Sequence, residues 1–466
     1  MRATLGLMLA TMAVCVAAET AGVSQAASQA GSPLPLLGSP AARPRGAKPF
    51  AGDAIFQTTK IHKIHLSLSA AEWAALQTSS QRGGAAVGGS DYRDSSGRLI
   101  HAGSGFVGYF PWVRSDVRIA DGTGAVSIKD AGLRYKGNLS FARSSAAAPL
   151  FANFKLKFDV HGTKGTWDGE KTFNLHAGVV DTSKMRDAVA YAIFRAAGVP
   201  APRTAYAELI FTVPGVYQDT SAGLFTLIED VNNRLLERVL PPGNGLLMKP
   251  EGARGGVQLL SESWASYIQT YRPDREATAH EQQRVMDFGR LISQTNVELF
   301  RSRIESFLDV DEFLRFIAVN AFIMNTDSYL RGGHNFYLYL DPADDKFRFL
   351  PWDQDLAMGR GGGMVMVFNG VATPAAPANI PNSGLDILRP AGTDQPLIYW
   401  LLDDPAVYAR YTAILRELGA KAFAEPELMR LMDALEAAGA GQAGNSPREF
   451  LRTRAAYMQQ VLAQIK

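Results

Sequence analysis

The chain has 466 residues, 47% of them hydrophobic and 20% charged, the proportions of an ordinary globular protein with one large domain or two lobes. Lys and Arg number 47 against 45 Asp and Glu, so the formal charge of +2 encodes no polyelectrolyte surface for nucleic acid. The single cysteine, Cys15, excludes a disulfide scaffold, a cysteine zinc site and a catalytic thiol in the body of the chain.

Residues 1–18 read as a signal peptide. Arg2 supplies the positive start, Leu5 to Ala18 is apolar but too short to span a bilayer stably, and Val16, Ala17 and Ala18 offer small residues for cleavage. Acylation at Cys15 is the alternative, and the bulky Val14 before it argues against that. The expectation is an exported protein, periplasmic or at the cell surface, with no integral membrane segment after cleavage. Residues 19–49 are dominated by Ala, Ser, Gly, Gln and Pro, cannot bury enough surface to offset their ordering entropy, and read as a disordered linker.

Residues 50–240 read as a sheet-rich N-terminal lobe. Ile61, Ile64, Leu66 and Leu68 suggest a strand, Ser69 with Glu72 resembles a capping box, and Trp73 to Leu76 continues a short helix. After a Gly-rich loop at Gly83 to Gly89, strands are expected over Val113 to Ile119, Ala131 to Tyr135 and Phe154 to Val160. Helical spacing of Met185, Val189, Ile193 and Ala196 predicts a helix from Ser183 to Ala197, with Asp181 to Ser183 as its cap and Gly198 and Pro200 as its end. Thr204 to Phe211 and Gly223 to Ile228 read as two further strands. His62 and His65 point to opposite sides of their strand and make poor joint metal ligands.

Residues 241–466 read as a mostly helical C-terminal lobe. Helices are expected over Glu281 to Gln294 and Asp311 to Asn325, the second apolar nearly all round and therefore buried. Gly359 to Pro381 reads as a long irregular loop, and helices resume near Pro396, with Phe450, Ala455, Met458 and Val461 forming an apolar stripe near the end. The fold class is α+β.

Polar information is densest at residues 325–327 and within the hairpin segment 334–355. Phe336, Leu338 and Leu340 alternate with Tyr337 and Tyr339, Asp341-Pro342 opens a turn, and Phe347 and Phe349 alternate back to Pro351. A turn centred near Ala343 places Asn335 and Asp353 at the same open end, roughly 7 Å apart along a strand. The buried helix delivers Asp327 to that end, and Asp353 and Asp355 would share a face if extended. Any one such aspartate is ordinarily a turn former or cap. Three short motifs meeting at one place argue instead for a metal or catalytic site, and hard oxygen donors suit Mg²⁺. In the first lobe, Lys136 ends an apolar strand and Lys155 and Lys157 share a face of the next. Such lysines either solvate an exposed face or offer a point charge to a polyphosphate.

These residues carry a family resemblance. The runs GLRYKGNLSF (residues 132–141), FKLKFDV (154–160), DTSKMRDAVAYAIFRAAGVPAPRTAYAEL (181–209), LFTLIEDV (224–231), FIAVNAFIMNTDSYLRGGHNFYLYL (316–340) and FRFLPWDQDLAMG (347–359) resemble the CotH kinase family, named after spore coat protein H. The resemblance implies an atypical protein-kinase-like fold with the cleft between two lobes, ATP with Mg²⁺ or Mn²⁺, and phosphorylation of Ser or Thr on a protein substrate of the envelope or surface. It implies that Asp327 orients or deprotonates the acceptor hydroxyl, that Asn335 and Asp353 bind metal, and that Asp355 is a second ligand or an orienter. Lys136 is the first candidate for the ATP phosphates and Lys155 the second. Glu229 matches a characteristic glutamate that either partners the lysine or holds the nucleotide, and His334 is a candidate neighbour of the metal ligands.

Departures stand beside the likeness. Asn335 follows Asp327 by eight residues rather than the five of ordinary protein kinases. Asn174-Leu175-His176-Ala177 stands where the family suggests an Asn pair. Gly103 to Gly108 fits a G-x-G-x-x-G pattern that is weak alone. The alternatives to γ-phosphoryl transfer are ATP-dependent AMP transfer and a non-catalytic surface or envelope interaction protein on the same scaffold.

Overall fold

The computed structural model describes residues 49–80, 91–102, 109–120, 125–137, 139–144, 148–250, 256–359, 367–368, 371–372, 385–391, 394–441 and 445–465. The expected signal peptide, nearly all of the linker, the Gly83 to Gly89 loop and the Gly103 to Gly108 pattern lie outside them. Strand β1 (Ile61–Ser67) leads into helix α1 (Ala70–Leu76), capped by Ser69 Oγ, which accepts from Glu72 N. The return arm of the expected capping box is absent, because Glu72 Oε2 accepts from Arg98 at 2.6 Å and from Arg114 N at 3.0 Å. A small sheet of β2 (Asp91–Arg93), β3 (Leu99–Ala102) and β4 (Tyr109–Pro111) follows.

The other strands of the sheet-rich first half close into a barrel. Its remaining strands are β5 (Val113–Ala120), β6 (Ala125–Tyr135), β7 (Phe154–Lys157), β8 (Thr172–His176), β9 (Thr204–Val213) and β10 (Tyr217–Glu229), in the order β1-β5-β6-β7-β8-β10-β9. Helix α2 (Leu139–Arg143) lies between β6 and β7, and α3 (Arg186–Ala196) between β8 and β9. Parallel pairing of β1 with β9, Ile61 opposite Tyr206 through Ser67 opposite Thr212, closes the ring and leaves no unpaired edge. Strand alternation fills the interior with Leu66, Val117, Leu133, Phe154, Phe173, Leu209 and Leu227. Strand β7 stops at Lys157, short of the expected Val160, because the chain turns there.

A second core begins on the outside of the barrel. Helix α3 is buried over nearly its whole length and shares a cluster with Tyr206 and Ile228 of β9 and β10. That cluster continues through α4 (Asn233–Val239), β11 (Leu246–Met248), α5 (Ala265–Tyr271), α6 (Ala279–Ser293), α7 (Val297–Arg303) and α8 (Val310–Phe322). The hairpin is present as β12 (Phe336–Asp341) and β13 (Lys346–Pro351), in register from Phe336 opposite Pro351 to Asp341 opposite Lys346, with β11 on its other side. Most of the Gly359 to Pro381 loop lies outside the described residues, within which β14 (Val367–Phe368) pairs with β15 (Val371–Ala372). Helices α9 (Pro396–Asp403), α10 (Pro405–Ala420), α11 (Glu425–Ala437) and α12 (Arg448–Gln464) complete a mixed α and β molecule. Among the described residues no helix is long and apolar enough to cross a membrane.

Candidate active site

The alternation that fills the barrel also loads its outer face. Leu133 and Tyr135 of β6 point in, so Arg134 and Lys136 point out. Pairing carries that outer face sideways: Arg134 lies beside Lys155, and Lys155 beside Asn174. Lys155 Nζ donates to Asp230 Oδ1 at 2.9 Å, and Asn174 Nδ2 donates to the same oxygen at 3.0 Å. Burial works against the Asp230 charge, but Lys155 and Asn174 outweigh it and hold the carboxyl below its usual range. Lys157 turns to Asp159 with its side chain 42% exposed, the solvated role that a strand lysine ordinarily has.

Lys136 Nζ lies 2.8 Å from His176 Nε2, and His176 Nδ1 lies 2.9 Å from Asp187 Oδ2. An ionised carboxylate only accepts, so Nδ1 carries the proton and Nε2 accepts from the lysine. The Lys136 amine sits 4.9 Å from the centre of the Trp352 ring, and Lys249 Nζ lies 5.8 Å from the same ring. Burial pulls Lys136 down to about 7; the Asp353 charge opposes this, and Lys249, Lys155 and Arg134 reinforce it.

The hairpin's open end brings the second set together. Asn335 O accepts from Trp352 N at 3.1 Å, continuing the ladder by one pair. Beyond it both strands leave through left-handed residues, Asn335 at φ 56° and Asp353 at φ 53°, a conformation that Asn and Asp tolerate better than most. Asn335 Nδ2 donates to Asp327 O at 2.8 Å and to Asp327 Oδ2 at 2.9 Å. These bonds fix the amide's orientation and leave its oxygen as a ligand atom. His334 Nε2 is 2.5 Å from Asp327 Oδ1; burial disfavours the charged ring, but Asp327 more than offsets that and raises His334 above its ordinary value. The buried pair Asn325 and Gln354, joined at 2.9 Å, ties the segment after α8 to the turn after β13.

Helix α3 clamps that turn from behind. Asp353 N donates to Tyr191 Oη at 3.1 Å, Gln354 N to Asp187 Oδ1 at 3.0 Å, and Arg186 Nε to Ala357 O at 3.0 Å. Asp355 opens a run of turn residues, so it does not share an extended face with Asp353. Both carboxyls are only partly buried and accept no hydrogen bond from another described residue. Burial, then the charges of Asp353, Asp187 and Asp327, push Asp355 well above the usual carboxylate range. Two such carboxylates beside an amide oxygen are a donor set that suits a hard divalent cation. Among the described residues no three His, Cys, Asp or Glu side chains could hold an ion by themselves, so water or phosphate oxygens would have to complete its shell.

Thus the structure groups Lys136, Asp327, Asn335, Asp353 and Asp355 around Trp352, with Lys155 alongside. Glu229 is corrected. Its side chain is 1% exposed, Oε1 accepts from Arg203 at 2.6 Å, and Oε2 accepts from Arg203 N and Arg238 at 2.8 and 2.7 Å. Occupied on both oxygens, it partners neither lysine, and the carboxylate next to Lys155 is its neighbour Asp230. His176, Asp187, Tyr191, Asp230 and Lys249 were not foreseen as site residues. One signal was available: Asp187 is an acid immediately before the apolar run Ala188 to Phe194, in a helix otherwise suited to burial, where a charge without a purpose is costly.

A family model described as CotH kinase protein matches residues 133–466. The chain belongs to the CotH kinase protein family. The family segment opens in β6, three residues before Lys136, and contains every site residue named above, while β1 and β5 precede it. Among curated proteins the chain is similar to inner spore coat protein H of Bacillus subtilis, 23% identical over 197 residues. That stretch is 42% of this chain and 52% of the relative, so the match spans about half of the relative's length. Among solved structures, the Helicobacter pylori proinflammatory kinase CtkA aligns over 66% of this chain and 90% of its own, at 9% identity and a TM-score of 0.31.

Proposed function

We propose that this member of the family is an exported, metal-dependent phosphotransferase that moves the γ-phosphoryl of ATP to a Ser or Thr hydroxyl of an envelope or surface protein. The observation that carries the reading is that Lys136, over the Trp352 ring and within reach of the Asp353 charge, lies at the hairpin end where Asn335 holds Asp327 and where Asp355 follows Asp353. Bound Mg²⁺ or Mn²⁺ would neutralise charge on the triphosphate and orient it. Asp353, Asp355 and the Asn335 amide oxygen would hold the ion, and Lys136 would hold a phosphate oxygen, with Lys155 and Lys249 adding positive field. Asp327 orients the acceptor hydroxyl and takes its proton as the new P–O bond forms and the bond to the ADP oxygen breaks. His334, held against Asp327, fixes the carboxylate's direction.

The test is transfer of ³²P from the γ and α positions of ATP, in separate reactions, to envelope protein from the source cell. Label from γ that is lost in Asp327→Ala supports the kinase. Label from α instead means AMP transfer. Neither label nor nucleotide binding, with the fold intact, leaves the scaffold alternative.

A further inference from the structure

We propose that Asp187 and His176 are positioning residues for Lys136, a relay in the place of a direct lysine–carboxylate ion pair; the proposal rests on the phosphotransferase reading above. The three side chains stand in line, with Asp187 Oδ2 to His176 Nδ1 at 2.9 Å and His176 Nε2 to Lys136 Nζ at 2.8 Å. His176 and Asp187 are each 5% exposed, so neither can exchange the other for water. The carboxylates that could have held the amine directly are engaged elsewhere: Glu229 by Arg203 and Arg238, and Asp230 by Lys155 and Asn174. Asp353 makes no hydrogen bond to Lys136.

The choice of an imidazole has a chemical consequence. A carboxylate on Lys136 would compete with phosphate for the ammonium, whereas an imidazole nitrogen that accepts from the amine locates it without a countercharge. Asp187 has a second duty. Its Oδ1 accepts from Gln354 N, between Asp353 and Asp355, and Tyr191, one turn further along α3, accepts from Asp353 N. One buried helix therefore sets the phosphate lysine and the acidic turn in a common frame. Asp187 is the residue that touches both.

Asp187→Asn separates this role from bulk and shape. An amide has one acceptor and one donor end, so it can serve His176 or Gln354 N but not both. ATP and adenosine affinities are measured by calorimetry with Mg²⁺ for wild type, Asp187→Asn, His176→Gln, Lys136→Ala and Lys136→Ala/Asp187→Asn. The relay predicts roughly tenfold weaker ATP binding in Asp187→Asn, the scale on which the partner behind an orienting histidine is felt. It also predicts unchanged adenosine binding, and less than about a twofold further effect of Asp187→Asn once Lys136 is gone. His176→Gln keeps an amide oxygen for Lys136 and retains ATP affinity to within about threefold on the same scale. Unchanged ATP affinity in Asp187→Asn overturns the relay and leaves the phosphotransferase reading standing, as does an undiminished loss in the Lys136→Ala background. If Asp187→Asn does not fold, His176→Gln decides, and a loss as large as that of Lys136→Ala overturns the relay. No ATP binding by wild type overturns the reading and the relay together.

Discussion

Lys136 supplies a pH test whose size follows from its surroundings. Burial, with the nearby cations, brings its amine down to about 7, far below the ordinary lysine value of about 10.4. Half the sites are then charged at pH 7 and about 1% at pH 9, because each unit above the pKa removes a factor of ten. If phosphate binds only the ammonium form, Mg·ATP affinity falls roughly 50-fold between pH 7 and pH 9. Binding also takes up about 0.5 proton at pH 7 and about 0.9 at pH 8, seen as a dependence of calorimetric heat on the buffer's ionisation enthalpy. Lys136→Arg stays charged throughout and loses both effects. The sign for stability is separate. A lysine lowered in the fold destabilises it fully below about pH 7, and that penalty fades as pH rises toward the unfolded value of about 10.4. Affinity flat from pH 7 to 9, with no buffer-dependent heat, would refute the placement of Lys136 on the phosphate.

Three further outcomes follow from the site. Asp353→Ala abolishes nucleotide turnover while its melting temperature stays near wild type, since its carboxylate holds no other described residue; equal activity would remove it from the metal set. Glu229→Gln leaves Arg203 and Arg238 buried with reduced compensation and costs roughly 3 kcal/mol in urea unfolding, whereas a change below about 1 kcal/mol would mean the arginines find other partners. Lys249→Ala raises KM for ATP about tenfold through loss of one charge-assisted contact and leaves adenosine binding alone; equal weakening of both ligands would place Lys249 against the base instead.

The hairpin was legible because its alternation is strict and its turn is marked: Phe336 to Leu340, Asp341-Pro342, then Phe347 to Pro351. Its register then placed Asn335 beside Trp352 and Asp353, and the apolar helix α8 gave Asp327 by its end. Lys136 could be read as outward because Leu133 and Tyr135 must be inward. Barrel closure was not legible, since β1 and β9 are over 130 residues apart and parallel pairing has no local turn signal. Glu229 was misjudged for a related reason. Whether a carboxylate at a strand end meets lysine, ligand or arginine depends on Arg203 and Arg238, which arrive from other segments. His176 drew notice only as a departure from the family pattern, and its partner Asp187 lies across a loop and on a helix.

The arrangement of charge bears on the choice between catalyst and scaffold. Burial lowers Lys136 and raises Asp355; the charges of Lys249, Lys155 and Arg134 reinforce the first shift, and those of Asp353, Asp187 and Asp327 the second. Direct pairing would relieve both shifts, yet Lys136 bonds to an imidazole and Asp355 to no described residue. A scaffold gains nothing from such shifts, and apolar or paired side chains would serve it better. A cation bound to a polyphosphate has the complementary order, anion toward the lysines and metal toward the aspartates. Lys136→Met/Asp355→Asn tests this energetically. With no ligand present the double variant should melt higher than wild type, by about 2–4 °C for each kcal/mol of repulsion relieved, and should bind no ATP. A lower melting temperature would mean that the charges hold the fold together, as the scaffold reading requires.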